Sequence, residues 1–335
     1  MHFKPPNTSQ FRQLYRLLRF LLLLAGSIFF ALACTSRLPI HSDPTTLDPS
    51  SAETCQIIYH AMGHTCVPTD PQRVVVWGGT ELDPVLALGV KPIAGNPEVL
   101  SYVKEKLPPE QWQEIKDINS PQGPNLEYIL ELKPDLILGH ESRIGQIYPQ
   151  LSSIAPTVLD GAEDWKSTLR LFAEALNKSE TAHQIMDDYD ARINLFKSEM
   201  HRRLPFTISS VEIRADSIIL DTHDSFALSV IQEAGLSLSP GLNRYTSQTW
   251  VLSKERLHEL ESDAIFLRAW GGFTSEQQAA EAELEKLKAD PLWQQLQVVQ
   301  KGKVYTVGDY FQGGGPITAN LILDDLFRYL LPTKS

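Results

Sequence analysis

Beyond residue 53, short apolar runs alternate with amphipathic ones. Arg73–Trp77 (RVVVW), Lys91–Gly95 (KPIAG), Asp135–Gly139 (DLILG) and Thr157–Leu159 have the length and β-branched content of strands. Leu82–Leu88 and Asn125–Leu132, between them, have helical spacing. Strands separated by helices imply parallel βαβ units. Then the period lengthens. Trp165, Leu169, Phe172 and Leu176 recur at helical intervals, and Ser179 can cap a second helix carrying Ala182, Ile185, Tyr189, Ile193, Phe196 and Met200. From Ser179 to His201 this helix would run about 34 Å at 1.5 Å per residue, and Pro205 ends it. Alternation resumes with Thr207–Arg214, Ser217–Leu220, a helix over Ser225–Ala234, and strands at Ala264–Arg268 and Lys303–Val307. The pattern predicts an α/β protein of two lobes with mainly parallel sheets, joined by one long rigid α-helix. Residues 53–164 form the N-terminal lobe, 165–203 the connecting helices and 204–335 the C-terminal lobe.

A weak internal repeat supports two lobes. NLEYILELKPDLIL, from Asn125, aligns with SKERLHELESDAIF, from Ser253, at a constant offset of 128. Glu127 matches Glu255, Glu131 matches Glu259, Leu132 matches Leu260, Asp135 matches Asp263 and Ile137 matches Ile265. Asn125 and Ser253 are both good N-cap residues, so each segment reads as cap, short helix and strand.

The first 52 residues are of another kind. Lys4, Arg12, Arg16 and Arg19 precede the apolar run 20–33 (FLLLLAGSIFFALA), and Cys34 follows. That order predicts a signal peptide over 1–33, because about 20 apolar residues are needed to span a bilayer. Ala31-Leu32-Ala33-Cys34 resembles a bacterial lipobox, with alanine where leucine is usual. Lipidation at Cys34 is expected, against an ordinary cleaved signal or a retained anchor, and would hold the protein at the periplasmic face of the inner membrane or another extracytoplasmic membrane surface. Residues 34–52, rich in Ser, Thr, Pro and Asp, read as a disordered tether. The net charge of −11 becomes −15 once the leader's four cations are removed, which disfavours nucleic acid as a partner. Cys55 and Cys66 flank a strand–turn–strand segment with Gly63 at its turn. In an oxidising compartment a disulfide is the natural reading; the alternative is two small buried apolar side chains.

A family resemblance covers nearly the whole chain after the tether. IIYHAMGHTCVPTDPQRVVV, ELDPVLALGVKPIAG and GPNLEYILELKPDLILG resemble the first lobe of a ferric-siderophore-binding protein of a bacterial ABC importer. WVLSKERLHELESDAIFL, DPLWQQLQVVQKGKVYTVGDY and GGGPITANLILDDL resemble its second lobe. The resemblance implies an extracytoplasmic binding lipoprotein, monomeric and not an enzyme. It would capture a ferric siderophore or ferric citrate between its lobes and deliver it to a permease dimer for iron uptake. In relatives one rigid helix restricts lobe movement to a few degrees. In relatives, too, one glutamate per lobe docks on permease arginines. Glu127 and Glu255 are the candidates here, although an acidic residue in a first helical turn also simply favours the macrodipole.

Ligands of open α/β sheets collect outside the carboxyl ends of the strands, which selects Trp77, Thr80, Arg143, Arg214, Arg268, Trp270 and Tyr310, with Tyr148 from the loop of Arg143. Guanidinium groups bind anionic oxygens and aromatic faces cover an organic shell; the competing expectation for any arginine is a solvated or salt-bridged surface position. A hexadentate chelate already fills six positions on iron, so no resident metal or cofactor is expected. The same scaffold could instead hold haem, for which His140 and Tyr310 are formally available as axial ligands, or cobalamin. An exported enzyme is the remaining alternative. No G-x-S-x-G, Walker or G-x-G-x-x-G motif follows a strand; Gly313-Gly314-Gly315 before a helix could cradle an anion.

Overall fold

Three consecutive valines make a strand that must be covered on both faces. The structure, a computed structural model, describes residues 55–332 apart from 97–103, 105, 119–122, 163, 223, 246–248 and 273. The expected leader, Cys34 and tether lie outside the described residues.

A hairpin of β1 (Cys55–His60) and β2 (Gly63–Pro68) leads in, with Gly63 at φ 123°. A disulfide joins Cys55 to Cys66 across it. The first sheet contains β3 (Val74–Val76), β4 (Ala94–Gly95), β5 (Lys116–Asp117), β6 (Leu136–His140) and β7 (Thr157–Asp160). Its order is β5-β4-β3-β6-β7, and every pairing is parallel. The helices between are α1 (Gly79–Ala87), α2 (Leu126–Leu132), α3 (Glu141–Ile144) and α4 (Tyr148–Ile154). Alternate residues serve opposite faces: Val74, Val76, Leu136 and Leu138 join one apolar cluster, Val75 and Ile137 another.

Two helices then leave the lobe, α5 (Trp165–Ala175) and the 22-residue α6 (Ser179–Met200), the latter about 33 Å long. Lys178, not Ser179, occupies the N-cap of α6, and no side chain caps it. The second sheet contains β8 (Thr207–Ile213), β9 (Ile218–Asp221), β10 (Ser237–Leu238), β11 (Thr249–Leu252), β12 (Ala264–Ala269) and β13 (Val304–Thr306). Its order is β11-β9-β8-β12-β13, with β10 also on β8. β9 runs antiparallel to β8 and β11, and the remaining pairings are parallel. Its helices are α7 (Phe226–Glu233), α8 (Thr274–Ala289), α9 (Pro291–Gln294), α10 (Gln297–Gln300) and α11 (Pro316–Leu330).

One apolar cluster runs through both lobes. Val74 of the first sheet, Tyr189, Ile193, Phe196 and Met200 of α6, and Ile208 of the second sheet all belong to it. The lobes therefore share a packed interior as well as a connection, which resists wide opening. α11 reinforces the joint. Arg192 of α6 donates to Asn320 and Asp324 at 2.6 Å each. Asp83, buried on α1, accepts from the Ile317 and Thr318 backbone N–H groups at 2.9 Å and from the Thr318 hydroxyl at 2.7 Å. The anion cradled after the glycine run is thus a carboxylate of this chain's other lobe. Gly315 must be glycine for this: a Cβ there would lie 2.4 Å from the Asp83 carboxyl carbon.

The repeat has a physical basis. Asp135, just before β6, accepts from the N–H groups of Gln72 and Arg73 at 2.8 Å, pinning the entry to β3. Asp263, just before β12, accepts from the Thr207 N–H at 2.7 Å and its hydroxyl at 2.9 Å, pinning the entry to β8. The equivalence stops at the helices. Asn125 caps α2, accepting from the Tyr128 N–H. Lys254–Leu260, by contrast, is a 3-10 helix whose Ser253 hydroxyl does not cap. Glu131 is exposed, whereas Glu259 is buried among Tyr245, Arg256 and Arg244. Burial raises the Glu259 carboxyl, but the hydrogen bonds from Arg256, Tyr245 and Arg244 win and bring it to about 2.

Candidate functional site

A cleft of about 1020 Å³ opens between the lobes. From the first lobe its walls come from the loops after parallel strands: Thr80 and Glu81 after β3, His140, Ser142 and Arg143 at and after β6, Ala162 and Asp164 after β7. From the second lobe come Arg214 after β8, Asp224 to Phe226 after β9, and Phe311 to Gly314 after β13. Helices α1, α5 and α7 begin at this cleft, and their N-termini bring partial positive charge to it. At the back, Gly314 lies so close to Thr80 that a Cβ would sit 2.7 Å from that side chain's Cβ.

The floor on the second lobe is an ionic cluster that the strand register builds. Arg268 lies beside Glu212, and Glu212 beside Ile219, with Asp221 two residues along on the same face. Arg268 is 2 % exposed. It donates to both Asp221 oxygens at 2.6 and 2.9 Å and to Glu212 at 2.8 Å, and its Nε has no partner among the described residues. Burial raises the Asp221 carboxyl, but the Arg268 charge and hydrogen bonds, with a hydrogen bond from Ser210, hold it below the usual carboxylate range. At the rim, Arg214 pairs with Glu212 at 2.6 Å and stacks over Trp270 with its guanidinium carbon 4.7 Å from the ring centre. Opposite, Arg143 lies 3.7 Å from Glu81. Lys166 pairs with Glu233 at 2.9 Å, and the Tyr189 hydroxyl donates to the same carboxylate.

Six carboxylates and four cations line the cleft, so it is not a basic trough. Exposure decides its face. Arg143 and Arg214 are 53 % and 40 % exposed, while their partners Glu81 and Glu212 are 3 % and 1 % exposed. A ligand approaching either pair meets the guanidinium first, with the carboxylate behind it.

Of the sequence candidates, Thr80, Arg143, Arg214 and Arg268 line the cleft; Trp77, Tyr148, Trp270 and Tyr310 do not. Trp77 and Tyr148 pack against the first lobe's second apolar cluster, Tyr148 beside His60 with ring centres 5.6 Å apart. Trp270 supports Arg214 from outside. Tyr310 donates to Asp325 of α11 at 2.5 Å. Arg268 corrects the expectation of an open guanidinium, because both of its terminal nitrogens are taken. His140 is equally engaged. Its Nδ1 accepts from the Ser142 N–H at 3.2 Å and its Nε2 faces the Ala162 carbonyl at 3.1 Å, so Nε2 carries the proton. Neither formally available haem ligand, His140 or Tyr310, therefore presents a free ligating atom to the cleft. Among the described residues no group of three His, Cys, Asp or Glu side chains is arranged to hold a metal ion.

Against known families, the periplasmic binding protein family matches residues 74–310. The chain belongs to that family. Within the family it is 29 % identical over 321 residues to the probable siderophore-binding lipoprotein YfiY of Bacillus subtilis (strain 168), covering 90 % of this chain and 94 % of that one. It is 30 % identical over 273 residues to the achromobactin-binding periplasmic protein of Dickeya dadantii (strain 3937), covering 77 % and 86 %. Among solved structures, Staphylococcus aureus SirA complexed with staphyloferrin B superposes with a TM-score of 0.70 at 27 % identity, over 82 % of this chain and 98 % of that one.

For a periplasmic binding protein the residues missed from sequence are instructive. Asp221 ends β9, and Asp224 and Ser225 follow it, so all three were open to the same rule that selected Arg214. Glu212 had a signal that went unused, an acidic residue inside a strand that is otherwise apolar or small. Asp164 to Lys166 and Glu233 carried no signal, since only the approach of α5 to α7 of the second lobe, where Lys166 pairs with Glu233, brings them to the cleft.

Proposed function

We propose that this protein captures an anionic, oxygen-rich ferric chelate, a ferric siderophore or ferric citrate, in the inter-lobe cleft and delivers it to a membrane permease. The carrying observation is the pair of half-exposed guanidiniums, Arg143 and Arg214, facing a cleft of drug-molecule size from opposite lobes. Thr80, Ser142, Ser225, Ser229 and Gln312 supply hydrogen-bonding wall between them. Of the aromatic lining residues Trp165 and Phe311 are buried, which leaves little ring surface for a flat macrocycle. The siderophores named for the relatives support this cargo class. Iron enters as part of the chelate, with no protein ligand, and the protein binds without catalysis. Export by residues 1–33 and lipid on Cys34 place it, as a monomer, at an extracytoplasmic membrane surface.

Glu127 and Glu255 are both exposed in the first turns of the aligned segments, an α-helix in one lobe and a 3-10 helix in the other. That placement supports docking on a two-fold permease through paired charges. Replacing both by arginine should stop uptake while chelate affinity stays the same.

Trp165 on the cleft wall serves as reporter. Titrating ferric citrate, a ferric hydroxamate, haem and cobalamin against intrinsic fluorescence should give saturable quenching with a ferric chelate. Saturation with haem or cobalamin alone would overturn the cargo, and saturation with none of them the binding function.

A further inference from the structure

We infer that cargo capture is an ion-pair exchange coupled to proton uptake: anionic oxygens of the cargo draw Arg143 away from Glu81, and the carboxylate left behind takes a proton from solvent. This rests on the chelate-binding reading of the cleft and adds its proton balance. No covalent bond changes except the new O–H on Glu81.

The Arg143–Glu81 contact is loose. At 3.7 Å the guanidinium is held by charge and not by a direct hydrogen bond, and its half-exposed head is free to turn towards a ligand. Glu81 cannot follow, because it is the third residue of α1 and folds back over the helix start. A Cβ at Gly78, itself at φ 111°, would lie 1.9 Å from the Glu81 carboxylate, so glycine makes room for this pose. What remains around the carboxylate without Arg143 is the Thr80 hydroxyl at 2.9 Å, the helix start and His140, whose ring nitrogens are engaged by Ser142 and the Ala162 carbonyl. Burial already pushes the Glu81 carboxyl above its usual range against Arg143, Thr80, its own backbone N–H and His140. Stripped of the first of these, a buried charge costs more than a proton.

The other pairs do not behave this way. When Arg214 turns to cargo, Glu212 keeps Arg268 at 2.8 Å and a hydrogen bond from Gln312. Glu233 keeps the Tyr189 hydroxyl and is 39 % exposed, so water replaces Lys166. Among the cleft ion pairs of the described residues, only the one at the first-lobe rim uncovers a buried carboxylate.

Two measurements test this. Calorimetric titration of ferric citrate near neutral pH, in buffers of differing ionisation enthalpy, should show net proton uptake by the wild-type protein. That uptake should fall away in Glu81→Gln, which corrects for protons moved by the chelate. Equal uptake in both proteins overturns the exchange. Independently of cargo, the Glu81 carboxyl followed by carbon NMR in the free protein should titrate about 1 pH unit or more higher in Arg143→Gln than in wild type. An unmoved midpoint overturns the inference. No heat with ferric citrate would count against that cargo, and the NMR comparison then decides the proton exchange alone.

Discussion

Replacing Arg268 by methionine tests whether the cleft floor is structural first. The change removes the cation between Glu212 and Asp221 while nearly keeping side-chain volume. Breaking a buried pair from one side costs about 3–5 kcal/mol, because the surviving charge is left uncompensated. The lower end applies here, about 3 kcal/mol, since Glu212 keeps Arg214 and Asp221 keeps the Ser210 hydroxyl. For a chain of this size that lowers the melting temperature by roughly 6–12 °C. The pH dependence has a definite sign. In wild type Arg268 depresses the Asp221 carboxyl, so its contribution is present above the ordinary carboxylate range and lost as pH falls through the depressed value. Without Arg268, burial raises Asp221 instead. The variant then binds a proton more tightly folded than unfolded and regains stability as pH falls from 7 to 5. Urea unfolding at both pH values should show a gap that narrows on acidification. A gap below about 1 kcal/mol at pH 7, or one equal at both pH values, refutes the reasoning.

Asp83→Asn should cost about 2 kcal/mol by unfolding, because three donors at the start of α11 lose a carboxylate. Burial pushes Asp83 up from the ordinary carboxylate range to about 6, so its contribution is fully present below that ordinary range and fades as pH rises through about 6; the cost should be larger at pH 5 than at pH 7.5. Trp270→Ala should weaken cargo binding about two- to fivefold through loss of the surface under Arg214, with Trp270→Phe largely restoring it in calorimetry. Cys55→Ser with Cys66→Ser should cost about 2–3 kcal/mol, seen as faster proteolysis of the hairpin.

Much of this molecule could be read along the chain because its strands are short, β-branched and buried on both faces. β3, β6 and β7 and the long α6 follow the predicted positions within a residue or two. α8 went unread, since only Ala280, Leu284 and Leu287 of its sixteen residues are buried and the stripe is thin. β5 and β10, two residues each, carry too little pattern to register, and β11 is an edge strand with Trp250 and Val251 exposed. The offset-128 repeat aligned Asp135 with Asp263, which the structure shows as matching strand anchors, but it could not tell exposed Glu131 from buried Glu259.

The order of strands and helices, the long connector and the loops that face the cleft follow from local periodicity, which the sequence carries directly. Which arginine stays available is a different kind of question. Arg143, Arg214 and Arg268 all stand near strand ends and look alike in one dimension. Sheet register places two carboxylates around Arg268, gives Arg214 a shared one, and leaves Arg143 a loose partner on a helix start. Charge pairing depends on distances of a few ångströms between segments far apart in the chain, and only packing fixes those.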